Sequence, residues 1–104
     1  MKQINEEFKK LAKDLGHLRK FTEFATVQEV AQVNDVTLKT VYNFENGKTH
    51  NLNLLLYYYY NITDLLSDLA IMEDIDKQFE KVMDIETKDS YSSHQLTLFR
   101  RHNN

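Results

Sequence analysis

The chain has 104 residues, 41% of them hydrophobic, with no cysteine, no proline, two glycines and a formal net charge of −3. That length fits one compact domain plus at most one extra element, the apolar content excludes a disordered chain, and the lack of cysteine excludes disulfides and thiolate metal sites. No apolar run approaches the roughly 18 residues that a membrane-spanning helix needs, and the N-terminal residues lack the pattern of a signal peptide, so a cytoplasmic protein is expected. So few turn formers suit neither an α/β nor an all-β fold. The expected fold class is all-α, with five helices, the last one longer, and a short irregular tail.

The spacing of Phe8, Leu11, Leu15 and Leu18 predicts a first helix over 5–24, with Asn5 as its cap and Glu6 and Glu7 in the first turn. Thr26 opens a second helix, and Glu29 three residues later makes a capping-box spacing. Asn34 and Asp35 interrupt it, because both side chains compete for backbone hydrogen bonds and tolerate left-handed backbone. Thr37 opens a third helix that ends at Gly47, the C′ glycine. A polar loop over 48–51 leads into a fourth helix over 52–60, closed by Asn61. Thr63 is read as the cap of a fifth helix over 64–83, on which Met72, Ile75, Phe79 and Val82 form a short heptad seam. The polar stretch 84–93 is read as flexible. Gln95 to Phe99 is locally apolar, and Arg100, Arg101 and His102 form a basic end. The division expected is a domain over 1–66 and a helical extension with a tail over 67–104.

Charge is unevenly distributed. Residues 1–60 carry eight basic and seven acidic side chains, and residues 61–104 carry five and nine. The front half is the better candidate to meet phosphates, through placed contacts more than through bulk field.

The informative stretch is Thr26 to Gly47, two short helices about a tight polar turn. Ala31 supplies the small residue at the helix crossing and Asp35 the turn. Val36 pins the turn to the core, and Val41 faces back from the second helix of the pair. Such a unit presents the start of that helix to a major groove about 12 Å wide.

With Thr26, Val30, Ala31, Val36, Thr37, Thr40, Val41, Glu45 and Gly47 in register, the stretch resembles the Cro/C1-type repressors, the XRE family. The ending Glu45-Asn46-Gly47-Lys48 is especially similar. The resemblance spans about residues 15–66. It departs from the family at Val27, where a glutamine usually stands (Gln28 is adjacent), and at Asp35, the usual turn glycine. The basic partner of the motif glutamate falls at Lys20, with Arg19 beside it, so an ion pair of Lys20 with Glu45 is expected. The resemblance implies base reading by Leu38, Lys39 and Asn43. Lysine can donate to guanine, asparagine can pair bidentately with adenine, and leucine can pack on a thymine methyl. Phosphate contacts are expected from Gln28, Thr40, Asn46, Lys48 and Thr49.

The function these features suggest is a sequence-specific transcriptional regulator, a repressor or autoregulator of a phage or mobile element. It would bind a near-palindromic operator in double-stranded DNA as a homodimer. The dimer surface expected is Tyr57 to Tyr60 with the seam of Met72, Ile75, Phe79 and Val82, although both also suit a core. The alternative is a protein-interaction module, such as an antirepressor, antitoxin or inhibitor, that keeps the fold and uses the acidic C-terminal half. His17, His50, His94 and His102 lack metal-ligand spacing, and no nucleophile elbow, phosphate loop or dinucleotide fingerprint is present. No enzyme, metal or cofactor is therefore expected.

Overall fold

The computed structural model describes residues 5–66 and 68–90. It is an all-α assembly: α1 (Glu6–Thr22), α2 (Val27–Asn34), α3 (Leu38–Glu45), α4 (Leu52–Leu65) and α5 (Leu69–Ser90), with no strand among the described residues. The expectations for residues 91–104, including Gln95 to Phe99 and the basic end, lie outside the described residues.

Each helix starts where a side chain satisfies orphan amides. The Glu7 amide donates to Asn5 Oδ1 at 2.8 Å. At α2 the box closes both ways: the Glu29 amide donates to Thr26 Oγ1 at 3.1 Å and the Thr26 amide to Glu29 Oε1 at 2.9 Å. Thr37 Oγ1 accepts from the Thr40 amide at 3.2 Å, and Asn51 Oδ1 from the Leu54 amide at 3.0 Å. Three helices end in left-handed backbone, at Glu23 (φ 54°), Asp35 (φ 54°) and Gly47 (φ 72°).

The second half departs from the expected boundaries. Helix α4 runs to Leu65, through Asn61 and Thr63. Thr63 is no cap, since its hydroxyl donates to the Tyr60 carbonyl one turn back at 3.0 Å. The cap of α5 is Asp68, whose Oδ1 accepts from the amides of Ala70 and Ile71 at 3.0 and 3.2 Å. Helix α5 then continues past Met83 to Ser90, through residues expected to be flexible. Its polar continuation is held by tertiary contact: Glu86 is only 4% exposed and bonds His50 Nε2 at 2.6 Å.

One core joins all five helices. It contains Phe8, Leu11 and Leu15 of α1, Val30 of α2, Val41 and Phe44 of α3, Leu54, Leu55, Tyr58 and Ile62 of α4, and Ile75 and Val82 of α5. Helix α1 is its axis, packing against α3, α4 and α5, while α2 packs on α3. Three of the four seam residues of α5 are thus occupied within the chain. Ile75 and Val82 are each 2% exposed, and Phe79 stacks on Tyr59 with ring centroids 3.8 Å apart. Tyr58 is fully buried, and of the four tyrosines only Tyr60 is exposed. Of the surface expected for a dimer, Tyr58, Ile75 and Val82 thus belong to the core, and Tyr57, Tyr59 and Phe79 pack against it. No helix among the described residues is long and apolar enough to cross a membrane.

Candidate nucleic-acid interface

Helices α2 and α3 meet where the side chains are small. Ala31 is buried, and its carbonyl accepts from the Val36 amide at 3.0 Å, which closes the turn. Asp35 provides the left-handed residue that the turn requires. Val41 and Phe44 then anchor α3 with no exposed surface. Helical geometry turns the other side outward. Leu38, Lys39, Tyr42 and Asn46 are exposed, and Asn43 is half-buried beside them.

Of the expected base readers, Leu38 and Lys39 stand in the first turn of this face and Asn43 at its edge. Tyr42, 49% exposed, belongs to the same face and is missing from the expected set. The signal was its position, three residues after Lys39 and four after Leu38. Gln28 is exposed in the first turn of α2, and Asn46 and Lys48 are exposed just past α3. Thr40 is half-buried and its hydroxyl shares a 3.0 Å hydrogen bond with that of Thr37. The Thr49 hydroxyl is buried without a partner, so a phosphate contact from Thr49 would have to come from its backbone.

Behind α3, two helices converge on Glu45. Arg19 of α1 grips it in bidentate fashion, Nε to Oε2 at 2.5 Å and Nη2 to Oε1 at 3.2 Å. Tyr58 of α4 donates its hydroxyl to Oε2 at 2.5 Å. Arg19 Nη1 also donates to the Ala25 carbonyl at 3.3 Å, tying in the link that leads to α2. The expected partner, Lys20, is corrected by this geometry. Arg19 follows Leu15 by four residues and so shares the inward face of α1, whereas Lys20 lies about 100° further round and is exposed. An arginine also fits the planar two-oxygen contact that a lysine cannot make.

The electrostatics of this lock are consistent. The Glu45 hydrogen bond holds the Arg19 guanidinium above its ordinary value against the opposing cost of burial. Burial first, and Glu45 second, pushes the Tyr58 phenol well above its usual range. Both glycines of the chain sit at this contact. A Cβ on Gly16 would stand 3.0 Å from Cβ of Glu45, and one on Gly47 would stand 2.5 Å from Cγ of Lys9. They let the end of α3 lie directly on α1.

Comparison with family models, curated proteins and solved structures found no match. The arrangement itself is a short helix whose outward face carries a donor, an amide, a phenol and an apolar side chain on a rigid mount. Among the described residues, no group of three or more His, Asp or Glu side chains is placed to hold a metal ion.

Proposed function

We propose that the protein is a sequence-specific regulator of Cro/C1 type that binds duplex DNA with α3 in the major groove. The observation that carries this reading is the pairing of an outward face (Leu38, Lys39, Tyr42 and Asn46) with a fixed mount, the Arg19–Glu45–Tyr58 lock. Base discrimination needs donors held in register, and each well-placed bidentate contact contributes about 1–3 kcal/mol. Gln28, ahead of α3, and Asn46 and Lys48, after it, suit backbone contacts that set the register. A near-palindromic operator calls for two copies of the chain, and the apolar residues of α4 still exposed for their contact are Tyr60 and Leu65.

The test is binding to the promoter region upstream of the protein's own gene, with mixed-sequence DNA as competitor. Tight, competitor-resistant binding is expected, and Lys39→Ala with Asn43→Ala is expected to reduce it to the competitor level while the fold is kept. Binding of the wild-type protein no stronger than to competitor overturns the reading for that site. A double variant that regulates as well as wild type points instead to a protein partner.

A further inference from the structure

A shallow depression of about 120 Å³ lies where α1 borders the end of α3. Lys13, His17 and Lys20 from α1 face Tyr42 and Asn46 from α3 across it. The three α1 residues recur at spacings of four and three, so they form one exposed row along the helix. Among the described residues, neither Lys13 nor Lys20 is paired with a carboxylate. Among the described residues, the one carboxylate lining the depression, that of Glu45, is already held by Arg19 and Tyr58. Glu23 and Glu29 line a neighbouring depression with Lys20 on the side of α2, and Glu29 is engaged in its capping box. Among the described residues, a chain of net charge −3 thus keeps two ammonium groups without a carboxylate partner beside the outward face of α3.

We infer that this row is a phosphate-binding rail: Lys13 and Lys20 contact the DNA backbone that flanks the groove entered by α3. The inference rests on the duplex-DNA reading and assigns to α1 a share of the affinity that the helix-turn-helix stretch alone does not supply. Such contacts carry no base information, so their removal weakens binding to every sequence alike.

The experiment measures binding of a mixed-sequence duplex of about 30 base pairs by fluorescence anisotropy, between about 50 and 200 mM salt. Three proteins are compared: wild type, Lys13→Gln with Lys20→Gln, and a control of equal charge change on α5, Lys77→Gln with Lys81→Gln. Circular dichroism verifies that each is folded. The expected result is a plot of log affinity against log salt that is shallower by about 1.8 for the α1 pair, close to 0.9 for each phosphate no longer neutralised. The α5 control keeps the wild-type slope. If the α1 pair also keeps it, the rail is overturned while the DNA reading stands. If the wild-type protein binds no duplex, both readings fall.

Discussion

At the residue scale, the unusual groups are two tyrosines whose phenols are held above their ordinary range. Burial is the larger cause for both, reinforced by Glu45 at Tyr58 and by Asp76 at Tyr59, whose hydroxyl donates to Asp76 Oδ1 at 2.6 Å. A phenol whose folded value is raised keeps its proton more tightly in the native state. Its contribution is complete below the unfolded value of about 10 and is lost as pH rises beyond it. Thermal stability is therefore expected to be flat in this respect up to about pH 9 and to fall above pH 10. In Tyr58→Phe the alkaline fall is expected to be shallower, from a lower starting stability, because Glu45 loses a donor. Melting curves between about pH 7 and pH 11 check this, and equal slopes for the two proteins would refute it.

At the element scale, α5 is part of the core and not an appendage. Ile75 and Val82 are almost completely buried, and burying such side chains stabilises by about 1.5–3 kcal/mol each. Their sum, about 3–6 kcal/mol, is a large part of the 5–15 kcal/mol that a domain usually has. A chain cut after Leu66 is therefore expected to unfold non-cooperatively or at much lower denaturant concentration. A urea titration followed by circular dichroism decides the matter, and a two-state transition at the wild-type midpoint would refute the expectation.

The same helix shows where sequence reading stops. The caps at Asn5, Thr26 and Thr37 and the terminators Asp35 and Gly47 are legible, because each acts on amides within a few residues. The α4–α5 junction is not, since Thr63 and Asp68 both look like caps and only packing chooses between them. Nor is the continuation of α5 past Met83, because what holds Glu86 is His50, 36 positions away. The lock is half legible. Glu45 stands out in the sequence, but alignment with a family pattern puts its partner one residue late, at Lys20. Counting from Leu15 along the buried face reaches Arg19 instead.

At the scale of the whole molecule, the charges are unevenly divided, with seven acids against three lysines on α5 and five basic residues against three acids on α1. Acids gather on α5 with Glu73, Asp74, Asp76 and Glu80, whereas Lys13, Lys20, Lys39 and Lys48 lie on α1, α3 and the loop after α3. A molecule of net charge −3 can thus still turn a positive side toward a polyanion, and such asymmetry acts on encounter rates and orientation. The Arg19–Glu45–Tyr58 lock has a consequence in time. It links positions 26 and 13 residues apart and is complete only when three helices are in place. It is therefore expected to form after the rate-limiting step of folding. Glu45→Ala leaves Arg19 largely buried without its partner and is expected to cost about 3–5 kcal/mol. Nearly all of that should appear as faster unfolding, with the refolding rate almost unchanged. Stopped-flow kinetics across a denaturant series measure both limbs, and a slowed refolding limb would place the lock in the folding nucleus instead. On this account the lifetime of the α3 face is set by how fast three helices separate.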